Sequence, residues 1–276
     1  ITIYEIQYTT EQVVDSEAFD CYPSLLVDQE VTTSGIVTAI KPGTYPNFYL
    51  TQPGLDSWGG IYVYDTSVNP QIGDEITLTA IVNEYYSMTQ LIDVTTFTSV
   101  TTGSSPTPVS ISTGNLGIDC SFEGEAFEGM LVEVSNVTIE NIDDEFGYWE
   151  VDDGSGSTII DDYFYDGEWP TVSIGDVIGS ITGVVEYSYN EFKILPRVAV
   201  DISNEDGCSA DLGDLNDDGI LNVLDIVILS SCILDLDCAD LQYSCAADFN
   251  GDDIYNVLDI VQIVNIILGR SEIGDA

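Results

Sequence analysis

The chain has 276 residues and sets 49 Asp and Glu against 4 Lys and Arg, a formal charge of −45, with no histidine at all. A folded chain of this mass exposes roughly 12,000 Å², and so acidic a surface offers no basic footprint to nucleic-acid phosphates, which excludes nucleic acid as a partner on this reading. The missing histidine excludes His-dependent triads, His general bases and His-ligated zinc, while 44% hydrophobic and 10% aromatic residues suffice for a core.

The opening run, ITIYEIQYTT, has strand character and suits a sheet edge, its own or a neighbour's. From there to about residue 203 the pattern is that of β-structure: short Thr-, Val-, Ile- and Tyr-rich runs broken by Gly, Pro and Asn. Runs at 31–40 (VTTSGIVTAI), 61–65 (IYVYD) and 76–82 (ITLTAIV) are the clearest strands. The chain also echoes itself at about a hundred residues. Ile72-Gly73-Asp74-Glu75 leads into ITLTAIVNEYYSMTQL, and Ile174-Gly175-Asp176-Val177 leads into IGSITGVVEYSYNEFKI. FYLTQPG at 48–54 is matched by YWEVDDG at 148–154. Such self-similarity predicts two copies of one β-domain, each a sheet closed into a small barrel, joined near TTGSSPTP at 101–108.

These blocks resemble the OB-fold-like domains of secreted bacterial proteins, which in many cases precede a nuclease or phosphatase catalytic domain. No catalytic domain follows here, so no enzymatic activity carries over from that resemblance.

The segment 211–269 is different in kind. Asp214 to Asp225 (DLNDDGILNVLD) and Asp248 to Asp259 (DFNGDDIYNVLD) align at a spacing of 34, and each runs into an apolar stretch, IVILSSCIL or IVQIVNIILG, long enough for a helix. Calcium takes six to eight hard oxygen ligands, which a 12-residue loop supplies from positions 1, 3, 5, 7, 9 and 12. The first loop offers Asp214, Asn216, Asp218, the Ile220 carbonyl, Asn222 and Asp225. The second offers Asp248, Asn250, Asp252, the Ile254 carbonyl, Asn256 and Asp259. Position 6, where the backbone turns sharply, is Gly219 in one and Asp253 in the other. The bland alternative is a pair of Asn/Asp-rich turns capping two helices.

Asp at position 12, the duplicated loop–helix and the missing entering helix resemble the dockerin domain. In that family the residues just before the last ligand help choose the cohesin partner and are commonly hydroxylated; here they are Val223 and Leu224, then Val257 and Leu258, which departs from the cellulosomal pattern. The second helix is apolar on most sides, with Asp259, Gln262 and Asn265 as a narrow polar stripe, so it needs cover from its sister helix and from a barrel or another molecule.

Other groups weigh less. Asp143-Asp144-Glu145, Asp152-Asp153, Asp161-Asp162, Asp166 and Glu168 could converge on further calcium ions or sit as solvated loop carboxylates. Nothing in the sequence sets two of them across a cleft as a glycosidase pair, and Ser155 lacks both the nucleophile-elbow context and a histidine. The aromatics of both repeats could form a sugar-binding face. Six cysteines without a CxxC pair suit an oxidising compartment; Cys21 and Cys120, one per repeat, are the expected bridge between the repeats, leaving Cys208, Cys232, Cys238 and Cys245 to pair among themselves.

The sequence therefore reads as a mainly β chain: OB-like barrels at 1–103 and 104–206, then an α-helical dockerin-like (loop–helix)₂ domain at 207–276. It reads as a non-catalytic, secreted bacterial protein without membrane insertion, with two Ca²⁺ sites or more. The expected role is structural or adhesive, a calcium-rigidified subunit that polymerises with itself into a filament or surface layer. The alternative is an anchoring module of a nuclease or polysaccharide-degrading system that binds a cohesin-like partner.

Overall fold

A computed structural model of the chain describes residues 1–12, 21–42, 47–65, 67–101, 107–143, 146–203, 213–216, 219–235, 244–247, 249 and 255–267. The chain divides into two compact units, Ile1–Asn204 and Glu205–Ala276.

The first unit begins with a helix, α1 (Ile3–Gln7), where the sequence pattern suggested a strand. The reason is local. Thr2 Oγ1 accepts from Glu5 N at 3.1 Å while Glu5 Oε2 accepts from Thr2 N at 2.8 Å, a capping box that satisfies two otherwise orphaned donors. Ile3 and Ile6, three residues apart and hence on one helical face, are both buried in the first core.

Five strands follow: β1 (Glu30–Ile40), β2 (Phe48–Thr51), β3 (Gly60–Tyr64), β4 (Asp74–Tyr85) and β5 (Met88–Thr101). They form a closed barrel in the order β1-β2-β3-β5-β4, with β4 pairing back onto β1 and β3 running parallel to β5. Along β4 every second residue, Ile76, Leu78, Ala80 and Val82, faces the core, as the period of two requires.

The second sheet is built from β6 (Val109–Ser110), the short helices α2 (Thr113–Leu116) and α3 (Phe122–Glu125), then β7 (Leu131–Asp143), β8 (Tyr148–Asp152), β9 (Thr158–Asp161), β10 (Val177–Ser188), β11 (Glu191–Leu195) and β12 (Ile202–Ser203). Its order is β12-β10-β11-β9-β8-β7-β6, and β10 also pairs with β7. The five strands β7-β8-β9-β11-β10 thus repeat the connectivity of β1-β2-β3-β5-β4, down to the parallel pair β9–β11. The sequence echo falls on equivalent hairpins. Tyr86 and Ser87 (φ 51° and 69°) turn β4 into β5, and Tyr189 and Asn190 (φ 56° and 68°) turn β10 into β11. Two successive left-handed residues are what a two-residue hairpin turn demands.

The two sheets meet directly. The chain between α3 and β7 passes so close to β3 that a Cβ on Gly60 would lie 2.0 Å from the Gly129 carbonyl carbon. A shared cluster of Tyr49, Tyr62, Met88, Leu131, Phe164 and Val184 fills the contact. Arg197 Nη1 donates to the Thr38 carbonyl at 2.6 Å, and a disulfide joins Cys21 to Cys120 across 99 residues.

The second unit contains α4 (Val223–Asp235) and α5 (Val257–Ile267), which pack through Leu215, Leu229, Cys232, Ala247 and Ile263. Cys232 is disulfide-bonded; Cys208, Cys238 and the side chain of Cys245 lie outside the described residues.

Candidate metal centre

The first 12-residue segment closes on itself through its two terminal carboxylates. Asp214 Oδ2 accepts from Gly219 N at 2.8 Å, pulling position 1 against position 6, where Gly219 takes φ 75° as the sharp turn requires. Asp225 Oδ1 accepts from Leu215 N at 3.0 Å, so position 12 returns to position 2. Asp225 is fully buried and Asp214 is 2% exposed.

The start of the helix is part of the same arrangement. Asn222 Oδ1 accepts from Leu224 N at 2.9 Å while Asp225 Oδ2 accepts from Asn222 N at 2.8 Å. Positions 9 and 12 therefore cap α4 reciprocally. The pattern recurs 34 residues on: Asn256 Oδ1 accepts from Leu258 N at 2.8 Å and Asp259 Oδ2 accepts from Asn256 N at 2.9 Å, with Asp259 fully buried. Asn222 Nδ2 also donates to the Ile220 carbonyl at 2.7 Å. Of the twelve expected ligands, Asp214, Asn216, Ile220, Asn222, Asp225, Asn256 and Asp259 are described; Asp218, Asp248, Asn250, Asp252 and Ile254 lie outside the described residues.

The donor set fits a hard cation. A low-dielectric interior disfavours the charge of a buried carboxylate unless it is neutralised, and carboxylate, amide and carbonyl oxygens match calcium rather than a softer metal. Among the described residues, no three of His, Cys, Asp and Glu converge as a metal-binding group.

The acidic clusters of the second sheet are engaged in other ways. Asp152 Oδ1 accepts from Gly154 N at 2.6 Å and Gly156 N at 3.1 Å, forming the β8–β9 turn. Asp153 accepts from Thr113 N and Oγ1 and from Ser155 N at 3.1, 2.8 and 2.9 Å. Burial pushes the Asp153 carboxyl up, but the Ser155 and Thr113 bonds outweigh it and hold the group below the usual carboxylate range. Asp161 pairs with Lys193 at 3.1 Å, and Asp143 accepts from Phe146 N at 3.0 Å. Ser155 Oγ accepts from Gly114 N at 2.8 Å and donates to Asp153, so it serves the turn. Asp144 and Glu145 lie outside the described residues.

No family model and no curated protein matches the chain. Among solved structures it is similar to the tetrameric p202 HIN2 (10% identity, covering 61% of this chain and 91% of that one, TM-score 0.30). It is also similar to the Ifi202 HINa domain in complex with 20-bp double-stranded DNA (12%, 62% and 93%, TM-score 0.30). A third is a multidomain protein with nucleic acid binding domains from Streptococcus pneumoniae (10%, 63% and 47%, TM-score 0.19). At these scores the likeness is remote.

These comparisons correct the functional expectation drawn from the sequence. One of the three holds duplex DNA and a second is described by its nucleic acid binding domains. The secreted structural or adhesive role and the anchoring role are withdrawn. So are the self-polymer and cohesin-like partners and the exclusion of nucleic acid. The exclusion rested on net charge, a sum over the whole chain that does not describe any single face. Lys41, Lys193 and Arg197, three of the four cations, all lie in the β unit. Among the described residues, no helix is long and apolar enough to cross a membrane.

Proposed function

We propose that the C-terminal unit is a divalent-cation module, with Ca²⁺ the ion its oxygen donors select, and that the chain binds rather than catalyses. Asp214, Asn216, Asp218, the Ile220 carbonyl, Asn222 and Asp225 would hold one ion, and Asp248, Asn250, Asp252, the Ile254 carbonyl, Asn256 and Asp259 a second. The observation that carries this reading is the repeated burial of the position-12 carboxylate, Asp225 and Asp259, each locked to an Asn three residues earlier. Helix capping alone is served by an exposed side chain; it does not call for a carboxylate with no exposure to water. The loop–helix pair resembles a dockerin domain in this register, and the two five-stranded connectivities of the β unit are of OB type.

The non-catalytic reading draws support from Asp152, Asp153 and Asp161, whose oxygens are engaged in turns, the Thr113 contact and an ion pair. The disulfides suit an oxidising compartment.

Titration calorimetry of the full chain with Ca²⁺ is the test, beside Asp225→Asn and Asp259→Asn. Each substitution keeps the side-chain shape and removes one charge. We expect two binding events in the parent protein, one in each single variant and none in the double. Calcium at a hundredfold over Kd should raise unfolding stability by about 2.7 kcal/mol per site. Absence of heat and of any melting shift in millimolar Ca²⁺ would overturn the reading.

A further inference from the structure

The chain between α3 and β7 crosses from one sheet to the other. Trp58 N, next to β3, donates to the Ala126 carbonyl, and Gly129 N donates to the Val185 carbonyl of β10 at 2.9 Å. Glu125, the last residue of α3, and Glu128, on this crossing, are 3% and 2% exposed. Glu128 Oε1 accepts from Thr89 N of β5 at 3.0 Å and from Gln7 Nε2 of α1 at 3.5 Å. Oε2 of Glu128 and Oε2 of Glu125 are buried with no hydrogen-bond partner among the described residues. Glu84 of β4 approaches from the first barrel and accepts from Ser24 N at 2.8 Å and from Thr89 Oγ1.

Besides the Thr89 and Gln7 donors, the titratable groups that face the pair are Glu84 on β4, Tyr49 on β2, and Glu186 and Tyr187 on β10, none of them a cation. The described cations are engaged elsewhere, Lys193 with Asp161, Arg197 with Asp201 and Lys41 with the Tyr163 hydroxyl. Arg270 lies outside the described residues. A buried carboxylate without a cation is far costlier than a buried carboxylic acid.

We propose that this crossing is a proton-dependent clasp: Glu125 and Glu128 carry their protons while the two sheets are closed on each other, and ionise as the contact opens to water. Burial, then the mutual repulsion of the pair and the nearness of Glu84, holds the Glu125 carboxyl well above the ordinary glutamate value; burial and Glu84 do the same for Glu128. The closed form therefore binds more protons than the open form. Its stability is fully present below the ordinary glutamate pKa and declines as pH rises toward the raised value. Each such carboxyl lowers the closed-to-open ratio about tenfold per pH unit across that window.

The test uses the full chain at fixed calcium and follows hydrogen exchange of the Thr89 amide from about pH 5 to 8, corrected for the intrinsic exchange rate. Glu128→Gln and Glu125→Gln are compared with Glu123→Gln, an exposed change on α3. We expect protection in the parent protein and in Glu123→Gln to fall with pH about tenfold per unit more steeply than in either buried variant. Equal slopes in all four proteins would overturn the proposal. A second readout needs no variant: the infrared spectrum near neutral pH should carry a protonated carboxylic-acid band, and its absence would overturn the proposal equally.

Discussion

Gly60→Ala tests how tightly the two sheets of the β unit are apposed. A Cβ at this position would meet Gly129 C at 2.0 Å, Met130 N at 2.2 Å and Gly129 O at 2.3 Å, all of them backbone atoms. That backbone has little freedom to retreat, because Gly129 N donates to Val185 O and Val185 N donates to Met130 O, both at 2.9 Å. Relieving the overlap means separating β3 from the crossing segment and disturbing the core cluster shared by the two sheets. Overpacking costs typically about 1–3 kcal/mol and more where nothing can move, so we expect about 3 kcal/mol or above. For a unit of this size that corresponds to a fall in melting temperature of about 6–12 °C. Circular-dichroism melts of the full chain provide the assay. Gly54→Ala is the control: Gly54 has a positive φ of 79° but open space around it, so only backbone strain of about 1 kcal/mol is expected there. A Gly60→Ala protein melting within about 2 °C of the parent would refute the close contact on which the clasp also depends.

Arg197 holds Asp201 through two bonds of 2.7 and 2.8 Å and reaches the Thr38 carbonyl, while Asp201 is 5% exposed. Arg197→Met should cost about 3 kcal/mol in urea unfolding by leaving that carboxylate buried and unpaired, and adding Asp201→Asn should recover part of the loss. Asp74 accepts from Ser99 Oγ, Gln71 N and Thr101 Oγ1 at 2.8, 3.0 and 2.9 Å, and these bonds hold its carboxyl below the ordinary aspartate value. Its contribution is present above the unfolded-state pKa and lost as pH falls through the lower folded one, so Asp74→Asn should flatten the acid limb of a stability–pH curve; an unchanged limb would count against the assignment.

Much of the β unit is legible in local pattern. The alternation in ITLTAIV places Ile76, Leu78, Ala80 and Val82 on one face, and the repeat between NEYYSMTQ and VEYSYNEF marks two equivalent hairpins. The pairing of Cys21 with Cys120 follows the expectation of one cysteine per repeat. The helix α1 escapes a reading by twos, although its Thr2–Glu5 box and the three-residue step from Ile3 to Ile6 are written in the sequence. In the candidate metal centre, the closure of the loop between Asp214, Asn222 and Asp225 falls within a twelve-residue spacing that the sequence displays.

Glu84, Glu125 and Glu128 were not legible. Among 49 acidic residues none of the three stands out by type or spacing. Much of what buries them comes from residues tens of positions away: Thr89 against Glu128, Trp58 against Ala126, and Gly60 against Gly129. By itself the sequence determined strand period, turn positions, the repeat and the loop spacing, because each is a relation between near neighbours along the backbone. Only the tertiary structure decided which carboxylates lose their water, since desolvation depends on what the fold brings from elsewhere in the chain.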